Sequence, residues 1–236
     1  MQIESFTDVG LHRKNNEDRF LVNILDDQNA LLVIADGMGG HAAGEVAAEL
    51  AVSSFEGFSF VGAENILAEL VDRIKKAGKA VRERERADPA CSGMGTTLSA
   101  LLIAGQWAYW AHLGDTRIYR YRQGALLRIT EDHTLAGMLL KKGEITGEEA
   151  RVHPYGSVLT RCVGCDEHQP DSGVFDLTEG DQVLLSTDGL HDLIPESRIA
   201  ELISADVTLK EKLAALLAAC LEAGGRDNIT GIIASI

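Results

Sequence analysis

The sequence predicts an α+β protein in which two packed sheets carry helices on their outer faces. Three observations lead there. Segments with strand character outnumber helical ones along the 236 residues. The helical patterns fall in two clusters between runs of strands, so the regular βαβ alternation of a parallel doubly wound sheet is missing. A chain that is 45% hydrophobic also has ample material for one sizeable core. No Pro/Ser-rich linker, low-complexity stretch or repeat divides it, and one domain is expected over residues 1–236.

Element by element, residues 2–8, 18–25 and 30–36 read as strands separated by polar, Asn/Asp-rich turns. A helix follows the glycine cluster, over about 42–54. A second covers about 63–86, with Ile66, Leu67, Leu70, Val71, Ile74 and Val81 on one face and charges opposite. Residues 96–104, 107–113, 117–122 and 125–129 form a meander of short strands, with tight turns at Gly105-Gln106 and Gln123-Gly124. Residues 133–156 break that pattern. They offer a short helix over 135–142, then Gly143, then an acidic stretch around Glu148-Glu149, then His153-Pro154. This reads as a surface excursion, a flap that is mobile and weakly stable. Strands resume at 157–163, 172–177 and 181–186. Two helices and a strand over 229–236 close the chain. The last helix starts at Thr208 as N-cap, with Glu211 completing a capping box. It turns Leu213, Leu216, Leu217 and Leu221 inward and stops at Gly224-Gly225.

Composition narrows the function classes. The net charge of −14 argues against nucleic acid or an anionic membrane as the main partner. No apolar run approaches the roughly 18 residues of a membrane span. The polar N-terminus reads as a strand rather than a secretory signal, so a cytoplasmic protein is expected. Of four cysteines, Cys162 and Cys165 are spaced C-x-x-C without a second pair or a nearby histidine. Reduced thiols are therefore expected, not a zinc set.

The chemistry lies in the acids. Two apolar runs, Leu31–Ala35 and Val183–Thr187, each end in an aspartate followed by glycine: Asp36-Gly37 and Asp188-Gly189. Asp227 sits near the C-terminus in Gly225-Arg226-Asp227-Asn228, and Leu113-Gly114-Asp115 adds a fourth acid. A lone Asp-Gly is usually a turn, but that reading strains when such acids recur at strand exits. A carboxylate ending a buried strand makes poor packing and a rigid mount for a hard cation. Oxygen ligands without thiol or imidazole suit Mg²⁺ or Mn²⁺.

Taken together, Arg13-x-x-Asn16-Glu17-Asp18, Val33 to His41, Gly95-Thr96-Thr97, Gly114-Asp115-Thr116-Arg117, Ser186-Thr187-Asp188-Gly189 and Arg226-Asp227-Asn228-Ile229-Thr230 resemble the metal-dependent serine/threonine protein phosphatases, the PPM or PP2C family, in order and over nearly the whole chain. The resemblance implies an α-β-β-α sandwich of two mainly antiparallel sheets with the metal site at one edge. It implies a monomeric, bacterial-type enzyme that hydrolyses phosphoserine and phosphothreonine in proteins, opposing a serine/threonine kinase. It also implies two Mn²⁺ or Mg²⁺ ions with a weaker third. Asp36 would bridge two metals and the Gly37 carbonyl would complete the second. Asp188 and Asp227 would hold the first, and Asp115 with Asp188 the third. Asp18 would orient a water held there, and Arg13 would grip the phosphate. Two cations lower the pKa of a shared water, and a guanidinium can fork onto two phosphate oxygens.

Other residues carry weaker expectations. The cysteines lack a C-x₅-R loop, and no Gly-Lys-Ser/Thr follows Gly37-Met38-Gly39-Gly40. Met38 stands where many eukaryotic relatives have a proposed general-acid histidine, which leaves His41 and His133 as candidates near in sequence. Both have a plain reading as helix-start residues. Arg117 is expected to pair with an acid of the site, and Trp107 and Trp110 to face core or sheet. On the flap, His153 and Arg151 are the residues best able to touch substrate. Two competing functions are a phosphatase of small phosphoesters and a non-catalytic phosphoprotein-binding module. The second would be expected to lack a metal aspartate, and none is missing.

Overall fold

The computed structural model describes residues 1–39, 43–59, 65–165 and 169–236. His41 lies outside them, as do the starts expected for the first two helices. Eleven strands form two mainly antiparallel sheets in the described residues. The first has the order β1-β11-β10-β7-β8, built from β1 (Gln2–Asp8), β7 (Arg117–Arg122), β8 (Ala125–Arg128), β10 (Gln182–Ser186) and β11 (Ile229–Ser235). The second has the order β2-β3-β5-β6-β9, built from β2 (Asp18–Ile24), β3 (Asn29–Met38), β5 (Leu98–Ala104), β6 (Trp107–Leu113) and β9 (Asp171–Asp176), with β4 (Gly95–Thr96) pairing the end of β3. Helices α1 (Ala43–Ser53) and α2 (Ile66–Ala87) cover the second sheet. Helices α6 (Glu196–Ser204) and α7 (Leu209–Glu222) cover the first. The result is the four-layer sandwich that the resemblance implies.

Strand periodicity divides the core into three layers. Leu31 and Val33 of β3, with Ala100 and Leu102 of β5, face α1 and α2. Their neighbours Leu32, Ile34, Leu101 and Ile103 face the other sheet, where Val183, Leu185 and Ile232 meet them. Leu184 and Ile233 point the opposite way, onto Ile199, Leu213 and Leu216 of the last helices. Central strands buried on both faces read as unbroken apolar runs. The cause of the two signal runs before Asp36 and Asp188 is therefore burial between layers. The last helix has the expected capping box: the Glu211 N–H donates to Thr208 Oγ1 at 3.3 Å, and the Thr208 N–H donates to Glu211 Oε2 at 2.9 Å.

The structure departs from expectation at five places. Residues 157–163 form no strand and make only the isolated bridges Thr134–Leu159 and Thr96–Val163. Each bridge joins a different partner, so no ladder can propagate. The strand expected over 96–104 is interrupted at Thr97, whose N–H and hydroxyl are both engaged by Asp36. The excursion contains α3 (Leu135–Lys141) and a second short helix, α4 (Gly147–Arg151), started by a Thr146–Glu149 capping box. A further short helix, α5 (Asp188–His191), follows β10 directly. Finally, the cysteines are not all reduced. Cys162 and Cys165 are bonded as a disulfide with Cα atoms 5.4 Å apart, while Cys91 and Cys220 are buried thiols. The Val163-Gly164 turn brings the pair within disulfide range.

Candidate metal centre

The site lies where one end of each sheet meets the other. Register sets its first pair: Asp18 on β2 stands directly opposite Asp36 on β3. The Asp36 backbone is held from the next strand over. Its N–H donates to Thr97 Oγ1 at 2.9 Å, and its carbonyl accepts from the Thr97 N–H at 2.9 Å and from Thr96 Oγ1 at 2.8 Å. The strand break at Thr97 is thus the price of fixing Asp36. From the other sheet, Asp188 opens α5 at the exit of β10, and Asp227 precedes β11. The two glycines that follow the signal aspartates permit close backbone approach. A Cβ on Gly37 would lie 2.2 Å from the Gly44 carbonyl oxygen, and one on Gly189 would lie 1.9 Å from that of Asn228.

Asn228 ties the chain ends together. Its amide donates to the carbonyls of Val9 and Asn15 at 3.0 and 2.9 Å, and its Oδ1 accepts from the Glu17 N–H at 2.8 Å. Two threonines hold Asp18: Thr187 and Thr230 hydroxyls donate to its Oδ2 at 2.9 and 2.6 Å. Its other oxygen, Oδ1, is buried with no hydrogen-bond partner among the described residues, and so is Oδ1 of Asp188.

Burial and mutual repulsion dominate the electrostatics. Burial, then the charges of Asp18, Asp188, Asp115 and Asp227, raise the Asp36 carboxyl well above the usual range. Asp188 is raised in the same way, by burial first and then by Asp115 and Asp192. Asp18 is pushed up to about 7 by burial, against the pull of its two threonine hydrogen bonds. Asp115 also reaches about 7, through burial and the nearby Asp132 and Asp192. Buried carboxylates of this kind must either take up protons or hold cations.

The donor set fits hard cations: clustered carboxylates, no thiolate, no imidazole, and two unpartnered buried oxygens. Among the described residues, no group of three or more His, Cys, Asp or Glu is already gathered as a cage. Asp227 accounts for part of this. Arg13 donates to its Oδ2 at 2.7 Å, and the Asn228 N–H donates to its Oδ1 at 2.8 Å. A cation taken up by Asp227 would displace Arg13 and free its guanidinium at the cleft mouth.

The cleft over these acids has a volume of about 280 Å³. It brings together Arg13, Asp36, Gly37, Asp115, Asp188 and Asp227. Asp18 lies beneath it, buried behind Thr187 and Thr230. Ser157 and Leu159, just past the 133–156 excursion, contribute to its wall. The flap candidates themselves lie elsewhere. Arg151 lines a separate cavity of about 320 Å³ with Arg117, Asp132 and Asp192. His153 Nδ1 accepts the Tyr155 N–H at 3.2 Å. Arg117 forks onto Asp132 at 2.6 and 2.9 Å, beside Asp115. Trp110 packs between the sheets, whereas Trp107 is half exposed.

His133 is excluded as a proton donor to the cleft. Its ring is buried, Nδ1 accepts the Gly114 N–H at 3.1 Å, and Nε2 donates to Asp171 at 3.0 Å. Its backbone N–H also donates to the Gly114 carbonyl at 2.7 Å. It therefore clamps the turn that carries Asp115. Sequence reasoning gave no role to Thr187, Thr230, Asn228 or Asp192. The first three lie inside the quoted motifs, beside aspartates that drew the attention. Asp192, one helical turn after Asp188, had no pattern to mark it beyond that spacing.

Comparison with known proteins agrees with this geometry. The protein phosphatase 2C family profile matches residues 12–229. Protein phosphatase PhpP of Streptococcus pneumoniae is 37% identical over 244 residues, covering 100% of this chain and 98% of that protein. The crystal structure of serine/threonine phosphatase Stp1 from Staphylococcus aureus superposes with a TM-score of 0.94 at 32% identity, covering 100% of this chain and 94% of that one. The catalytic domain of serine threonine protein phosphatase PstP in complex with two manganese ions gives a TM-score of 0.89 at 34% identity, covering 99% and 97%. Motifs, fold and relatives over the full length agree: the chain belongs to the protein phosphatase 2C family.

Proposed function

We propose that the protein is a metal-dependent phosphatase of phosphoserine and phosphothreonine in proteins, and that it opposes a serine/threonine kinase. One observation carries this: buried carboxylates from both sheets, two of their oxygens unpartnered, converge under an open cleft with a guanidinium at its mouth. Relatives named as serine/threonine phosphatases, one of them solved with two manganese ions, support the same reading.

Asp36, the Gly37 carbonyl, Asp188 and Asp227 are the residues we assign to two Mn²⁺ or Mg²⁺ ions. Asp115 with Asp188 is assigned to a weaker third, and Asp192 adds negative charge beside it. Such ions lower the pKa of water and offset the charge of a phosphate dianion. Asp18, fixed by Thr187 and Thr230 through one oxygen, keeps its other oxygen unpartnered, and we assign that oxygen as an acceptor for the water. Arg13, once released from Asp227, reaches the phosphate with a planar pair of donors. Water would attack phosphorus from the cluster side, giving its proton toward Asp18, as the bond from phosphorus to the serine or threonine oxygen breaks, and the departing oxygen would take its proton from solvent at the open cleft. No covalent enzyme intermediate is required.

The test is hydrolysis of a phosphothreonine peptide with and without metal. Mn²⁺ should serve at least as well as Mg²⁺, with Ca²⁺ poor, because calcium coordinates irregularly and acidifies water weakly. Full activity in excess chelator would overturn the metal assignment. Sugar and nucleotide phosphates turned over faster than phosphopeptides would instead identify a small-phosphoester enzyme.

A further inference from the structure

Helix α2 carries Lys75, Lys79, Arg82 and Arg86 at spacings of four, three and four residues, so their side chains leave one face of the helix. They line a groove of about 530 Å³ whose far wall includes Cys162 and Val163. Among the described residues one acid, Glu83, joins the lining, 3.7 Å from Lys79. Other acids of this region pair off the stripe: Glu69 with Arg73, Asp72 with Lys76, and Asp88 with Arg84. Among the described residues, neither Lys75 nor Arg86 has an ion-pair partner, while Arg82 donates to the Cys165 carbonyl at 3.4 Å. Among the described residues, four cations and one acid line this concave surface of a chain whose net charge is −14.

The groove is built, and it adjoins the cleft. Val163 exchanges both backbone hydrogen bonds with Thr96, at 2.8 and 3.0 Å. Thr96 in turn donates its hydroxyl to the Asp36 carbonyl at 2.8 Å. Gly164 lies so close to α2 that a Cβ there would stand 2.4 Å from Val81 Cγ1. One segment walls both spaces: Leu159 lines the cleft and Cys162 lines the groove. Three residue steps along the chain separate them by at most roughly 11 Å.

We propose that this groove docks an acidic stretch of the substrate polypeptide while its phosphorylated residue occupies the cleft. This rests on the protein-phosphatase reading above and names the substrate class. An extended peptide rises about 3.3 Å per residue, so acids about three to six positions from the phosphoresidue reach the groove. Each exposed contact of this kind changes affinity by only about 1.5- to 5-fold. Several together give roughly 10-fold. A short acidic peptide senses the field within a Debye length of about 8 Å. A long nucleic acid would also meet the acidic remainder of the surface, which disfavours it.

The test compares four substrates: a phosphothreonine peptide with neutral flanks, the same peptide with four acids at positions three to six on its N-terminal side, the same peptide with those acids on its C-terminal side, and p-nitrophenyl phosphate. Wild-type protein should favour one acid-flanked peptide about 10-fold in kcat/KM, mainly through KM, and lose that preference in 0.5 M salt. Charge reversal in K75E/K79E/R86E should abolish the ratio between acidic and neutral peptides. The neutral K75Q/K79Q/R86Q variant should abolish it too, which guards against misfolding of the first. Anisotropy of a labelled, non-phosphorylated acidic peptide should show the same loss. A wild-type ratio near one, or a ratio that survives both variants, would overturn the proposal. So would binding of a single-stranded oligonucleotide that depends on these lysines while the peptide ratio does not. Turnover of the neutral peptide and of p-nitrophenyl phosphate reports separately on the phosphatase reading, so failure of docking and failure of that reading are distinguishable.

Discussion

Single side chains carry the sharpest expectations. Asp36, Asp188 and Asp227 replaced by Ala should each lower kcat/KM at least about 100-fold, since charge stabilisation by a bound metal is worth several kcal/mol. The fold should survive, because removing one carboxylate relieves repulsion within the buried cluster. Circular dichroism and phosphopeptide turnover together check this, and a single variant retaining wild-type turnover would remove that residue from the assignment. Arg13→Ala should raise KM by about 10-fold or more and lower kcat less, as the loss of a charge-assisted contact would. Arg13→Lys should restore only part, because an ammonium cannot fork. Unchanged kcat/KM in the alanine variant would reduce Arg13 to a partner of Asp227. His133→Ala orphans the buried Gly114 N–H, at a cost of about 1–3 kcal/mol. It should also raise the Mn²⁺ concentration needed for the stabilisation seen by thermal unfolding. His133→Asn, which can still accept that N–H, should recover part of both.

At the scale of elements, what was legible depended on whether the cause was local. The strand β3 was readable because both of its faces are buried, and α7 because its cap and apolar face lie within one stretch of chain. Residues 157–163 were misread because Val158, Leu159 and Val163 have strand character, while their partners, at positions 134 and 96, are remote and separate. Thr97 breaks its strand for the sake of Asp36, a tertiary cause that no window of sequence contains. Asp36 and Asp188 stood out because apolar runs point to them. Asp227 was noticed beside them without an apolar run to mark it and took its metal role only from the motif as a whole, and Thr187 and Thr230 look like ordinary strand residues. The flap is closed at its base by the Leu135 N–H to the Val158 carbonyl at 2.9 Å and the Thr160 N–H to the His133 carbonyl at 2.8 Å. It presents Val152 and Tyr155 to solvent, and Val158 just beyond it is exposed as well. His153→Ala removes the acceptor of the Tyr155 N–H. It should lower the ratio of phosphopeptide to p-nitrophenyl phosphate turnover, with metal affinity unmoved. Equal losses on both substrates would give His153 a purely structural role.

For the whole molecule, the buried acids set the response to pH in the absence of metal. Asp18 and Asp115 have folded-state values of about 7, above those of the unfolded chain. The folded state therefore holds more protons, and stability falls as pH rises through that range. Below about 6.5, buried neutral histidines act in the opposite sense. His112, lowered to about 3 by burial, stabilises above the unfolded value and loses that contribution as pH falls. The clean window is thus pH 6.5 to 8, where metal-free protein should lose thermal stability. Added Mn²⁺ should raise the melting temperature more at pH 8 than at pH 6.5, because its ligands must be deprotonated. A pH-independent gain would contradict a carboxylate site. One feature of the topology bears on how the protein comes into being. Strand β11 lies between β1 and β10, the first strand and one of the last, and Asp227 and Asn228 lead into it. A chain still emerging from the ribosome cannot complete this sheet until residues 229–235 have left the exit tunnel. Until then Asp18 lacks Thr230, and the loop through Val9 and Asn15 lacks Asn228. A nascent chain that has not yet released β11 should therefore carry no phosphatase activity, and catalytic competence should arrive in one step as that strand slots in.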